Sequence, residues 1–195
     1  MDNPALIKYC NLKFFQKRAN NYNPNQNNVK YLLIMACHCD SELKLSTIKR
    51  NLKYFDYECI TILLLNTIGL PYNNQITEEC SKYSNITYME TQNYPTYDFG
   101  KWIYALGLDS IKYYNFNFIV FTNDSFIIHA PINHFFNLAF KYNVDFYGYN
   151  DSTQQQYHYQ SYLFILKSDA VPLFIRNYNK KKKLIKNQND VIDNY

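Results

Sequence analysis

The chain has 195 residues and a mass of 23.4 kDa, with 47% hydrophobic and 18% charged residues. That is enough apolar material for one packed domain and too little charge for a disordered polymer. The net charge of +4 comes largely from the lysine run 180–183, so no basic face for nucleic acid is expected.

Residues 1–20 contain no apolar core of a signal peptide, and no stretch approaches membrane-spanning length, so neither a leader nor a membrane span is expected. The five cysteines form no C-x-x-C pair. Structural zinc at Cys37-His38-Cys39 is therefore disfavoured, and a reducing setting is expected. The 21 Tyr and 14 Phe, set beside abundant Asn, Lys and Ile, fit A/T-rich coding better than a functional use of tyrosine.

Residues 1–28 read as a short leading segment and an Asn-rich polar linker, and 29–195 as the folded domain. The run 31–37 is apolar throughout and of buried-strand length. Ser41 can cap a helix whose Leu45, Ile48, Leu52 and Phe55 recur at helical spacing. A second buried strand is expected at 59–65, a short helix around 77–83 and a third strand at 85–89. A helix follows from about Asp98, with Phe99, Trp102, Ile103 and Leu106 on one face.

The run 116–121 reads as the fourth strand, and Pro131 suits the first turn of a further helix. Strands at 145–149 and 161–166 and a helix from Ser168 complete the series. Strand and helix alternate, and the strands are apolar on both faces. This predicts an α/β fold: a doubly wound, mainly parallel sheet flanked by helices. Ligands of such sheets bind beyond the carboxyl ends of the strands.

At those ends the polar residues gather. Four glycines in the whole chain leave no G-x-G-x-x-G or Walker motif, which disfavours a dinucleotide site or a P-loop. Asp98 and Lys101 sit at a helix start, either as an ordinary cap with Gly100 easing helix–sheet packing, or as groups facing a ligand with hydroxyls and phosphates. Asn123-Asp124-Ser125 directly follows a buried strand. It reads either as a polar turn or as oxygen and amide groups suited to a hard cation bound with substrate phosphates. His158 and Gln160 share one side of an extended segment. His38, His129 and His134 read as structural or surface residues.

Taken in order, Asn93 with Tyr97-Asp98-Phe99-Gly100-Lys101-Trp102, then Asn123-Asp124-Ser125, Asp145-Phe146-Tyr147-Gly148 with Asp151, and His158-Tyr159-Gln160-Ser161-Tyr162 resemble the motif set of the rhamnan-synthesis F-like glycosyltransferases. The resemblance covers about residues 30–178. It implies a GT-A-like fold and transfer of a sugar from a nucleoside-diphosphate donor to a glycan or other hydroxyl acceptor. It also implies that the triplet stands in the place of a metal motif for Mn²⁺ or Mg²⁺, with Asp124 as its only carboxylate.

On that resemblance Asn93, Asp98, Lys101, Asn123, Asp124, Ser125 and Gln160 would bind the donor. His158 and Asp151 are the candidate bases, unranked. A second reading keeps the fold and drops the chemistry: a non-catalytic module that binds a nucleotide or a glycan.

Overall fold

The computed structural model describes residues 29–55, 59–149, 151–152, 158–159 and 162–185. The leading segment and linker lie outside the described residues. A six-stranded sheet forms the middle layer. Its strands are β1 (Tyr31–Cys37), β2 (Ile60–Thr67), β3 (Ile86–Thr91), β4 (Phe118–Asn123), β5 (Phe146–Gly148) and, later in the chain, β8 (Leu163–Lys167). The spatial order is β3-β2-β1-β4-β8-β5. The first four strands are mutually parallel, and β8 runs antiparallel between β4 and β5. The expected mainly parallel, doubly wound sheet is the one found.

Strand β1 is buried along its whole length because both of its faces are covered. Tyr31, Leu33, Met35 and Cys37 point to one side, where they meet α1 (Glu42–Phe55), α2 (Asn73–Cys80) and α4 (Asn133–Tyr142). Leu32, Ile34 and Ala36 point to the other, against α3 (Tyr97–Leu106) and α5 (Val171–Lys181). Period-two alternation thus feeds two cores from one strand. The centre of the second core is Trp102, fully buried, edge-on to Phe99, Phe121 and Phe164 at centroid separations of 5.0, 5.5 and 5.5 Å. Its indole N–H donates to the Thr122 carbonyl at 3.2 Å, which satisfies the one polar atom of the ring.

Several boundaries differ from those expected, each for a local reason. The second helix starts at Asn73, four residues early, because the Asn73 amide is drawn into the core: its Nδ2 donates to the Thr67 carbonyl (3.2 Å) and its Oδ1 accepts from Asn66 (2.7 Å). Pro131 precedes α4 rather than entering its first turn. A 3₁₀ turn, Ser168–Ala170, intervenes before α5. The two-residue strands β6 (Asp151–Ser152) and β7 (His158–Tyr159) pair antiparallel as a separate ribbon that the sequence pattern does not announce. Ser41 does cap α1, its hydroxyl accepting from the Lys44 amide at 3.4 Å. No helix among the described residues is long and apolar enough to cross a membrane.

Candidate functional site

The chain leaves β1 toward β2 on one side and has β4 on the other, so the sheet's winding reverses between β1 and β4. A crevice opens at such a point beyond the carboxyl ends of the two strands. His38 follows β1 and Asp124 follows β4. The two are joined directly: the His38 backbone N–H donates to Asp124 Oδ2 at 2.8 Å.

From Asp124, 8% exposed, the polar cluster extends to both neighbouring elements. Asn123, the last residue of β4, is 2% exposed, and both ends of its amide are committed. Its Oδ1 accepts from the Ser125 backbone N–H (3.0 Å), and its Nδ2 donates to Asp98 Oδ2 (2.8 Å). Asn123 therefore makes the turn and also brings the α3 carboxylate to the β4 end. Ser125 itself is exposed at the turn. His38 Nδ1 lies 3.0 Å from Thr67 Oγ1 at the end of β2, and its ring stays 39% exposed.

Lys101 lies three residues along α3 from Asp98 and points inward, which corrects the expectation of a cation facing a ligand. It is 2% exposed; Nζ donates to the Cys37 carbonyl and, at 2.9 Å, to Thr67 Oγ1. Its charge lies under the cluster and acts as an internal counter-ion. Burial pulls its pKa below the usual lysine range, against the opposing pull of Cys37, Asp98 and Asp124. Asp98 is pushed up to about 6, first by burial and then by the Asp124 charge, while the Asn123 hydrogen bond, Lys101 and Lys44 pull it back. Two carboxylates, one buried lysine and a half-exposed imidazole thus share one end of the sheet.

The entry to α3 is tightly built. Tyr97 has φ +52°, a left-handed conformation that costs a non-glycine residue of order 1–3 kcal/mol and is tolerated where surrounding contacts enforce it. One enforcing contact is buried: Thr96 Oγ1 and the Tyr178 hydroxyl of α5 lie 2.8 Å apart. Gly100 matters for this loop rather than for the sheet, which corrects the packing expected for it. A Cβ there would run into Tyr94 and come within 2.7 Å of Thr96 Oγ1. Gly100→Ala should cost about 1–3 kcal/mol in urea unfolding, since the loop must move to admit the methyl group; an unchanged midpoint would show that the loop yields freely.

Asn93 is exposed in the loop after β3 and makes no hydrogen bond among the described residues. Asp151 and His158 fall on the β6–β7 ribbon, where Ser152 is paired with His158 and Asp151 with Tyr159. The ribbon backbone is described, and the orientation of these two side chains is not. Gln160 lies outside the described residues. The sequence reads His38 as a structural or surface residue, and the structure sets it beside Asp124 and Thr67 at the strand ends. The signal that could have found it is positional, since it immediately follows the central strand of a sheet whose winding reverses there. Cys37 and Cys39 are buried free thiols, and burial pushes Cys39 up to about 11. Among the described residues no three His, Cys, Asp or Glu side chains form a metal-binding group.

No protein-family model matches the chain. A curated relative, the virulence protein VirA of Vibrio anguillarum, is 33% identical over 120 residues, which are 60% of this chain and 36% of that protein. The matched stretch is thus only about a third of the relative's length. Among solved structures, the glycosyltransferase GlyE of Streptococcus pneumoniae superposes with a TM-score of 0.53 at 9% identity, covering 84% of this chain and 40% of that one. The galactosyltransferase LgtC, crystallised with donor and acceptor sugar analogues, gives a TM-score of 0.46 at 9% identity, over 84% of this chain and 69% of that one. The likeness to GlyE shows a shared fold. The chain has a GT-A-like fold.

Proposed function

We propose that the chain is a glycosyltransferase that moves a sugar from a nucleoside-diphosphate donor to a hydroxyl acceptor, in glycan or polysaccharide synthesis. The observation that carries the reading is the junction of Asp98 and Asp124, through Asn123, at the winding reversal of a fold shared with a glycosyltransferase. The ordered motifs that resemble the rhamnan-synthesis F-like enzymes support it, and on that resemblance the donor diphosphate would lie beside the triplet.

Asp124 has one oxygen engaged by the His38 amide. Its second oxygen suits a hard cation that takes only one or two protein ligands and completes its shell with phosphate and water. Mn²⁺ or Mg²⁺ bound there would stabilise charge on the departing diphosphate. Asp98 and Asn93 would hold hydroxyls of the donor, and Ser125 and Gln160 would flank it. His38, with its ring at the crevice, joins this set as a candidate donor contact. Lys101 acts from beneath by fixing the Cys37 carbonyl and Thr67, and so the β1 and β2 ends. The acceptor hydroxyl needs a base, for which His158 and Asp151 on the ribbon are the candidates. A cytoplasmic setting fits a nucleotide-sugar substrate.

One observation favours the second reading, a binding module without chemistry: Asn123 bonds internally at both ends of its amide, and Asp124 is the triplet's one acidic group. Thermal shift with UDP-, GDP- and dTDP-sugars, with and without Mn²⁺, tests both. Metal-dependent stabilisation is expected. Stabilisation indifferent to metal, or no response to any of the three donors, supports the module.

A further inference from the structure

An open depression of about 740 Å³ runs along the outer face of α1, under the loop that leaves β4. Its polar walls carry Lys49, Arg50, Lys53 and His129, and among the described residues no carboxylate lines it. Arg50 is fixed in place. Its Nε–H donates to the Ile128 carbonyl at 2.8 Å, and Nη2 donates to His129 Nδ1 at 3.3 Å. A guanidinium can only donate, so His129 accepts at Nδ1 and presents Nε2–H outward, while Arg50 keeps three further N–H groups. The Tyr54 hydroxyl pins the same loop through the His129 carbonyl at 3.3 Å. The buried Asn51 amide holds it from below, bonding the Phe126 carbonyl (2.8 Å) and the Ile128 N–H (2.9 Å).

Lys49 and Lys53, one helical turn apart, make no ion pair or hydrogen bond among the described residues. Among the described residues the charged groups facing the depression are thus all cations, and His129 adds an N–H donor. The depression and the crevice are built on two shared elements. The loop that leaves β4 begins at Asp124, and α1 begins beside Asp40 and Lys44, which form an ion pair at 3.2 Å near His38. From Lys44 to Lys53 the helix axis advances about 13 Å.

We propose that this depression is an acceptor subsite for an acidic glycan, one whose sugars carry phosphate or carboxylate groups, lying along α1 with its growing end at the crevice. The assignment rests on the glycosyltransferase reading and specifies its acceptor. Fixed donors at Arg50 and His129 would recognise the anion, and Lys49 and Lys53 would hold the next charges along the chain.

Calorimetric binding on the full chain tests this with four probes: a phosphorylated oligosaccharide, a glucuronate-containing one, a neutral one of equal length, and inorganic phosphate. Both acidic oligosaccharides, or one of them, should bind at least about tenfold tighter than the neutral probe, with affinity falling as salt rises. The pair Lys49→Glu/Lys53→Glu should lose about tenfold or more for the acidic probes, and Lys49→Gln/Lys53→Gln, which keeps helix propensity and bulk, should lose it too. Equal affinity for neutral and acidic probes, or affinity retained in both double variants, overturns the proposal. Inorganic phosphate binding as tightly as the oligosaccharides overturns the glycan assignment. If acidic glycan binds through Lys49 and Lys53 while no nucleotide-sugar stabilises the wild type, the subsite stands and glycosyl transfer falls. Donor stabilisation without discrimination among glycans is the reverse result.

Discussion

Asp124→Asn is expected to lower sugar transfer about 100-fold or more while leaving thermal stability near that of the wild type. The substitution keeps an oxygen able to accept the His38 N–H, so the junction between the β1 and β4 ends survives. What disappears is the charge, and with it the triplet's only carboxylate for a cation at the diphosphate. Losses of 10²–10³ accompany removal of a single group that stabilises charge in a transition state. Release of nucleoside diphosphate, measured with whichever donor stabilises the wild type, reads the effect. Transfer within threefold of wild type would remove Asp124 from the reaction. The variant carries a second signature: Asp124 helps to raise the pKa of Asp98, so Asp98 should titrate lower in its absence.

Lys101→Ala should be the most destabilising change at the site, by about 3–5 kcal/mol. Deleting one member of a buried charged set leaves the others uncompensated, and that penalty exceeds the worth of the original pair. Here the abandoned groups are the Cys37 carbonyl, Thr67 Oγ1 and the two nearby carboxylates. The loss should depend on pH in a stated direction. Asp98 has a native pKa of about 6, above its unfolded value, so its ionisation opposes folding as pH rises through that window. Removing Lys101 raises the native pKa of Asp98 further and enlarges that opposition. The gap in stability between wild type and variant should therefore be widest above pH 6 and narrow toward pH 4. Chemical denaturation across that range measures it. A gap constant with pH would mean that Lys101 and Asp98 are not coupled.

The middle of the sheet was legible in the sequence because β1, β2, β4 and β8 are buried almost throughout and so read as largely apolar runs. Tyr31–Cys37 matched to the residue. Helix α1 was legible from its cap and its apolar spacing. The direction of β8 was not, since an antiparallel strand between two others has the same composition as a parallel one. The start of α2 was hidden because Asn73 behaves as a core residue only once Asn66 and Thr67 are beside it.

At the site, the sequence brought Asp98, Asn123 and Asp124 together through their strand-end and helix-start positions. It misjudged Lys101. A lysine next to a candidate phosphate site reads as a ligand contact, and only the register of α3 against β1 reveals that its ammonium is buried. The same register explains Gly100, whose missing side chain makes room for Tyr94 and Thr96.

The placement of β8 bears on how the chain is assembled. Strand β5 is held in the sheet through β8, which is made some fifteen residues later and must first align against β4. As the polypeptide emerges during synthesis, β1 to β4 can gather early, whereas β5 has to wait for the strand that joins it to the sheet. Slowing elongation between residues 149 and 163 would lengthen that wait and should raise capture by chaperones, with the finished protein unchanged.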